Sequence, residues 1–239
     1  MIDWFADWFN SKYYHILYQN RDDKEAENFI QNLSQFFKKE DKIIDIACGA
    51  GRHTLFLSKL GYHTTGIDLS EKSIKFAKEK SKGKIPFEVW DMRKCYKKQE
   101  FDVALNLFTS FGYFNNKEDD FLAIKAMSEN LINEGILIID FLNSKKVISN
   151  LIKTETKQID GVQFNISRKV KDGFIIKNIE VNHNEDKFSF QEKVKALTKE
   201  NFSELLTFAG LQIIDTFGNY KLDEFNHETS DRLIIIAKK

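Results

Sequence analysis

The chain has 239 residues, of which 42% are hydrophobic and 22 are phenylalanine, so it can build one large domain with a substantial core. Lys and Arg together number 36, as do Asp and Glu, and this balance predicts no overall attraction to nucleic acid or to an anionic membrane. The two cysteines, Cys48 and Cys95, are too few for a disulfide framework and too far apart for a metal-binding knuckle.

The N-terminus is acidic and aromatic (MIDWFADWF), where a secretory signal peptide would have a basic start. The sequence has no apolar run approaching the roughly 20 residues that span a bilayer. The aromatic cluster at residues 4–9 lacks basic companions, so we expect it to pack on the core or on a second subunit. These features predict a cytoplasmic protein without a metal, either a monomer or a homodimer.

Apolar runs alternate with amphipathic stretches between residues 42 and 140. Residues 43–47 are almost wholly apolar and rich in isoleucine, as in a strand that is buried on both faces. Further strands are predicted at residues 63–68, 87–90, 101–108 and 136–140. Helices are predicted at residues 54–60, after the capping residue Ser70, and at 121–131. Strand and helix alternate five times, which indicates a doubly wound, mostly parallel sheet.

The pattern changes in the second half of the chain. Residues 162–197 alternate apolar and polar side chains and contain Asp172-Gly173, a typical hairpin turn. Three successive antiparallel strands fit this segment. The rest of the chain has one helix and two strands typical of the main fold, at residues 202–208, 211–215 and 233–237. We therefore predict an α/β fold, with a seven-stranded Rossmann-like sheet and an antiparallel β insertion.

The loop after the first strand, residues 45–51 (DIACGAG), is typical of a ligand-binding turn. Gly49 and Gly51 let the backbone adopt positive φ angles and pass close beneath a ligand. Asp68 ends the second strand, 23 residues after the loop begins, where a carboxylate can accept both hydroxyls of a ribose. Residue 54 is threonine, so the third glycine of the dinucleotide fingerprint is absent. These residues favour a nucleoside cofactor without a pyrophosphate.

Four segments resemble, in order and spacing, the motifs of class I S-adenosylmethionine-dependent methyltransferases. They are residues 45–53 (DIACGAGRH), 66–70 (GIDLS), 91–93 (DMR) and 101–106 (FDVALN). The resemblance covers residues 13–141, and Ala47 stands where many members have glycine. It implies S-adenosylmethionine as the cofactor and S-adenosylhomocysteine as the product.

The resemblance also implies roles for individual residues. Asp68 would hold the ribose, and Asp91 would face the adenine amino group. Met92 and Leu69 would pack on the two faces of the adenine, and Asp45 suits the amino group of the cofactor. The full set of expected cofactor-binding residues is Tyr14, Arg21, Asp45, Ala47, Cys48, Gly49, Gly51, Asp68, Leu69, Asp91, Met92, Asn106 and Phe108.

A narrower resemblance is to small-molecule N-methyltransferases that act on nucleotide-linked amino sugars or on glycine. Residues 13–26 resemble the lid helix that covers the cofactor in those enzymes, and residues 107–113 (LFTSFGY) resemble the loop that leads into the active site. Tyr113 would then line the substrate pocket, with a core aromatic as the alternative. Tyr14 and Arg21 could close over the cofactor carboxylate, or Arg21 could pair with a neighbouring acid.

This resemblance implies a division into a helical lid, a cofactor-binding core and a substrate cover. The lid spans residues 1–40, the core residues 41–150 and 198–239, and the cover residues 151–197. The expected activity is methyl transfer to nitrogen or oxygen of a small molecule. Strand four ends in NLFT, without the Pro-Pro sequence of enzymes that methylate nucleobase or glutamine amines. An RNA or protein methyltransferase and a non-catalytic cofactor-binding protein are the alternatives.

Overall fold

The structure is a computed structural model that describes residues 5–19 and 23–239. Its strands are β1 Lys42–Ile46, β2 His63–Asp68, β3 Phe87–Val89, β4 Phe101–Asn106, β5 Leu131–Leu142, β6 Thr154–Ile159, β7 Val162–Lys171, β8 Phe174–His183, β9 Asp186–Lys195, β10 Gln212–Phe217 and β11 Arg232–Lys238. Its helices are α1 Phe5–Phe9, α2 Lys12–Leu17, α3 Asp23–Leu33, α4 Arg52–Lys59, α5 Glu71–Ser81, α6 Lys117–Asn130, α7 Ser144–Ser149 and α8 Lys199–Phe208. Among the described helices, none combines the length and the apolar character needed to cross a membrane.

The main sheet has seven strands in the order β10-β11-β5-β4-β1-β2-β3. Strands β1 to β5 pair in parallel, and β11 pairs antiparallel with both β5 and β10. Strand β1, inside the sheet, is buried on both faces, as its continuous apolar sequence predicts. Ile44 and Ile46 face α6 and α8, while Ile43 faces α3 and α4. The predicted seven-stranded Rossmann-like sheet is therefore confirmed.

Helix α3 belongs to the core of this sheet. Its residues Phe29, Ile30 and Leu33 are fully buried and pack in one cluster with Ile43 of β1 and Leu57 of α4. These side chains recur at helical spacing, so one face of α3 forms a layer on the sheet. Of the predicted lid at residues 1–40, only α1 and α2 are thus left outside the main core.

The second sheet has the antiparallel order β6-β7-β8-β9. The predicted turn at Asp172-Gly173 joins β7 to β8, and both of its residues have positive φ angles, 51° and 76°. The sequence suggested three strands here, but β6 adds a fourth. This edge strand (TETKQI) is mostly exposed and polar, so it lacks the apolar alternation that reveals a half-buried strand.

Helices α1 and α2 pack on the second sheet and not on the main one. Trp8, Tyr13 and Leu17 are buried in one cluster with Phe164 of β7 and Val181 of β8. The aromatic N-terminus was expected to pack on the core or on a second subunit, and its described part packs on the insertion. The N-terminal helices and the insertion therefore share a core of their own.

Replacing Leu33 by Ala should lower the free energy of unfolding by about 2–5 kcal/mol, because it leaves a cavity in the main core. Leu122→Ala on α6 is the matched control, since Leu122 is 49% exposed and its truncation should cost less than about 0.5 kcal/mol. Urea unfolding followed by circular dichroism measures both. Equal losses would show that α3 is not part of the core.

Candidate active site

A cleft of about 1010 Å³ lies at the carboxyl ends of β1, β2 and β4. Open α/β sheets bind their ligands at this edge. The walls come from three parts of the chain: the loops that follow these strands, the N-terminal helices, and strand β9 of the second sheet. The cofactor-type motifs and the insertion thus meet in one cavity.

Asp68 is held at the end of β2 by two backbone amides. The amides of Gly49 and Ser70 each donate to its carboxylate, both at 2.8 Å. Burial raises the pKa of Asp68, while these two hydrogen bonds oppose the rise. Each carboxylate oxygen is engaged once, which leaves accepting capacity for hydroxyl groups in the cleft. This geometry fits a ribose.

The two loop glycines have different physical roles. Gly49 has a φ of 55°, and a Cβ atom built on it would meet nothing within 4 Å. Gly51, with a φ of 77°, begins α4, and a Cβ atom there would lie 2.7 Å from Cζ of Phe87. Gly51 therefore allows close packing behind the loop. Although predicted to bind the cofactor, it is not part of the cleft wall.

Asp91 lies in the cleft wall beside exposed apolar side chains. Leu69 and Phe76 are 41% and 47% exposed there, and Met92 is half-buried. Burial disfavours the charged form of Asp91, but hydrogen bonds and charge from Arg93 outweigh it, so the pKa of Asp91 is lowered. Both carboxylate oxygens accept from Arg93, at 2.6–3.0 Å. The arrangement offers apolar contact to a flat ring and an ionised acceptor at its edge.

Asp45 lies at the floor of the cleft and is 2% exposed. Thr54 Oγ1 donates to its Oδ2 at 2.6 Å. Burial raises the pKa of Asp45 to about 6, against this hydrogen bond. The threonine that replaces the third glycine of a dinucleotide fingerprint thus holds the first acid of the loop in place.

A buried ionic network shapes the turn after β4. Phe108 and Thr109 both have positive φ angles, 63° and 59°. Asp140, at 0% exposure, accepts from the amide of Phe108 at 2.9 Å, from the hydroxyl of Tyr220 at 3.2 Å and from Nε of Arg232 at 2.7 Å. Sequence reasoning missed this network. The available signal was an acid, Asp140, within the otherwise apolar strand β5.

Other predicted residues have varied positions. Asn106 is fully buried, donates to the carbonyl of Ile46 at 3.0 Å and does not line the cleft. Its Oδ1 has no hydrogen-bond partner among the described residues. Tyr113 lines the cleft, and its hydroxyl donates to the carbonyl of Thr109 at 2.9 Å. Arg21 lies outside the described residues. The predicted residues that do line the cleft are Tyr14, Asp45, Ala47, Cys48, Gly49, Asp68, Leu69, Asp91, Met92, Phe108 and Tyr113.

Glu192 of β9 brings a carboxylate to the opposite wall of the cleft. Its Oε1 accepts from Nε1 of Trp8 at 2.7 Å and from the hydroxyl of Tyr18 at 2.6 Å. Nζ of Lys177 lies 3.4 Å from Oε2 and also donates to the hydroxyl of Tyr18. Sequence reasoning missed Glu192, because an acid in an alternating strand is usually solvated. Among the described residues, no group of three or more His, Cys, Asp or Glu side chains could hold a metal ion.

Residues 43–135 match the family model described as a methyltransferase domain. The match covers less than half of the chain. The matched segment begins in β1 and ends within β5, so it includes the loop with Gly49 and the acids Asp68 and Asp91. The predicted resemblance to class I methyltransferases is thereby confirmed.

The curated relatives of this chain differ in how much of each protein the similarity covers. The chain spans less than half the length of the first curated relatives that it matches, 45% and 43%. Glycine/sarcosine N-methyltransferase of Aphanothece halophytica is 25% identical over 232 residues, which cover 94% of this chain and 85% of that relative. The insertion thus lies within the aligned length of a relative.

Two solved structures share the fold over nearly the whole chain. An S-adenosylmethionine-dependent methyltransferase from Clostridium acetobutylicum superposes with a TM-score of 0.80 at 20% identity, covering 95% of both chains. The amino pentose methyltransferase CalS10 from Micromonospora echinaspora gives a TM-score of 0.73 at 17% identity, covering 95% of this chain and 97% of that one. The main sheet and the insertion therefore form a known architecture.

Asp45→Asn should stabilise the ligand-free protein at pH 8. The folded-state pKa of about 6 exceeds the ordinary value of 3.8, so the folded protein binds more protons between these values. Stability therefore falls as pH rises through this window and stays lower above it. An asparagine avoids that loss, which for a shift of about two units is roughly 3 kcal/mol at most.

Urea unfolding at pH 8 and near pH 4 measures this effect. The gain should be present at pH 8 and nearly absent near pH 4, where Asp45 is largely protonated in the folded protein. Asp186→Asn, at an exposed position on β9, is the control and should leave the free energy of unfolding unchanged at both pH values. A gain of the same size at both pH values would contradict the explanation.

Proposed function

We propose that this protein is an S-adenosylmethionine-dependent methyltransferase that methylates the amine nitrogen of a small molecule. The observation that carries the proposal is the continuity of the cleft. Asp68 and Asp91 line its half near β1 to β3, and its other half is an aromatic chamber that contains Glu192. A cofactor and an acceptor can therefore meet in it.

The cofactor half fits S-adenosylmethionine. In this proposal Asp68 accepts the ribose hydroxyls, and Asp91 accepts from the adenine amino group. Gly49 leaves open space where a side chain would crowd a ligand. The ionisable floor residue Asp45 can attract the ammonium group of the methionine part. The names of the Clostridium acetobutylicum structure and of the glycine/sarcosine relative support this cofactor and this reaction class.

The acceptor half favours an amine. The rings of Phe9, Tyr14, Tyr18 and Tyr113 line it, with Phe9 packed edge-on to Tyr14 at 5.1 Å and to Tyr113 at 5.5 Å. Aromatic faces and a carboxylate together attract an ammonium group. Such a group must lose a proton before its lone pair can attack. The Glu192 carboxylate can accept that proton.

The remaining contribution of the protein is positioning. When bound, S-adenosylmethionine supplies a methyl group on a positively charged sulfur. Helices α1 and α2 and strand β9 enclose the chamber and exclude water, and the turn at Phe108 and Thr109 shapes its floor. Holding the acceptor nitrogen close to the methyl carbon accounts for much of the acceleration in such displacements. In this proposal residues 151–197 and the N-terminal helices act as the substrate cover.

Calorimetry should detect binding of S-adenosylmethionine and S-adenosylhomocysteine, and no binding of NAD. Asp68→Ala should weaken the binding of S-adenosylhomocysteine by roughly 2–3 kcal/mol, about 30- to 150-fold in Kd, because the ribose loses a charged acceptor. Asp186→Asn should bind like the wild type. Tighter binding of NAD, or an unchanged affinity in folded Asp68→Ala, would refute the cofactor assignment.

Glu192→Gln should lower kcat/KM for amine acceptors at least about 10-fold while sparing cofactor affinity, because the amide cannot accept the proton. A screen for S-adenosylhomocysteine release against amines, amino sugars, phenols and carboxylates identifies the acceptor. Lys187→Gln, at an exposed position on the same strand, is the control. Methylation of phenols alone would contradict the choice of nitrogen and leave the cofactor assignment intact.

A further inference from the structure

A second charged side chain faces the acceptor half of the cleft. Arg232 begins β11 and lies opposite Leu142 at the end of β5, and both line the cleft. Strands β5 and β4 separate β11 from β1 and its cofactor loop. Arg232 is therefore on the far side of the cleft from Asp68, which ends β2, and from Asp91, which follows β3.

The guanidinium of Arg232 is rigidly held. Nε donates to Oδ1 of Asp140 at 2.7 Å, and Nη2 donates to Oγ1 of Thr109 at 2.9 Å. Nη1 makes no hydrogen bond to the described residues, and the side chain is 19% exposed. A guanidinium has five N–H donors in a fixed plane. Arg232 thus presents spare donors at the cleft without any loss of side-chain freedom on binding.

The ion pair with Asp140 engages only part of the Arg232 guanidinium. Asp140 already accepts from the amide of Phe108 and the hydroxyl of Tyr220, and burying an ion pair costs desolvation energy that apolar packing avoids. The guanidinium of Arg52 lies 4.9 Å from the centre of the Phe108 ring. The guanidinium of Arg232 is 6.0 Å from that centre. Two guanidinium groups therefore surround Phe108 in the cleft wall.

We propose that Arg232 binds an anionic group of the methyl acceptor, a carboxylate or a phosphate. Planar N–H donors of arginine match the paired oxygens of both groups. With Glu192 facing the amine, the acceptor is then a small molecule that carries both an amine and an anion. This inference rests on the proposed function, because it assigns the second end of the same acceptor.

Nitrogen-15 NMR of the arginine side chains tests the site directly, with sodium acetate and inorganic phosphate as probes and methylammonium chloride as the cationic comparison. The Nε signal of Arg232, identified by its loss in Arg232→Gln, should shift and saturate with acetate, phosphate or both. Acetate alone indicates a carboxylate, and phosphate alone a phosphate. No saturating shift with either anion would overturn the proposal.

Arg168 is the internal control. It pairs with Glu155 on the second sheet, has the same 19% exposure and does not line the cleft. An equal shift at Arg168 would show nonspecific ion binding and overturn the proposal. Calorimetry with S-adenosylhomocysteine on the same samples tests the proposed function separately, so failure of the anion site and failure of the cofactor assignment are distinguishable.

Kinetics with the acceptors found in the release screen give a second readout, using pairs such as glycine and methylamine or phosphoethanolamine and ethanolamine. Arg232→Gln should lower kcat/KM at least about 10-fold more for the member that carries the anion than for the member that lacks it. Arg168→Gln should change neither. Equal losses for both members of a pair would indicate a structural role and overturn the assignment.

Discussion

Carboxylates buried at the carboxyl edge of the main sheet hold the loops from which the cleft is built. A buried carboxylate needs hydrogen-bond donors, and at this edge the nearest donors are loop amides. Asp68 takes the amides of Gly49 and Ser70, and Asp140 takes the amide of Phe108. Each acid therefore fixes the backbone of a loop beside it, including the turns with positive φ angles. The shape of the cleft depends on these contacts.

The same burial that organises the site reduces stability. Desolvation raises the pKa of Asp45 to about 6, so ionising Asp45 at neutral pH costs more free energy in the folded protein than in the unfolded chain. The turn at Phe108 and Thr109 adds backbone conformations that side-chain-bearing residues rarely adopt. Such features persist because surrounding contacts hold them, and they concentrate at functional sites. The proposed function gives them a reason: an ionised floor and a fixed turn facing a ligand.

Two cores support the cleft, and the second sheet contributes to both, because Ile175 and Val194 pack in the main core. The cofactor half rests on the main sheet, whereas α1, α2 and the second sheet form a core around Trp8 and Phe164. Contacts at the cleft join them, among them the ring of Phe9 against Tyr113 and the backbone hydrogen bond from Lys195 to Gly112 at 2.8 Å. Changes in the insertion can therefore alter the chamber.

The sequence alone determined the features that depend on neighbouring residues. The spacing of apolar residues predicts the seven strands of the main sheet. The loop after β1, together with Asp68, predicts the cofactor half of the cleft. Both predictions are possible because burial and turn geometry are encoded within a few neighbouring residues. The tertiary structure decided the acceptor side. Arg232 meets Asp140 across 92 residues, and Glu192 meets Trp8 across 184. It also placed α3 in the core and the polar strand β6 at an edge. Such contacts depend on how distant segments of the chain are arranged in the folded protein, and no local sequence pattern encodes that arrangement.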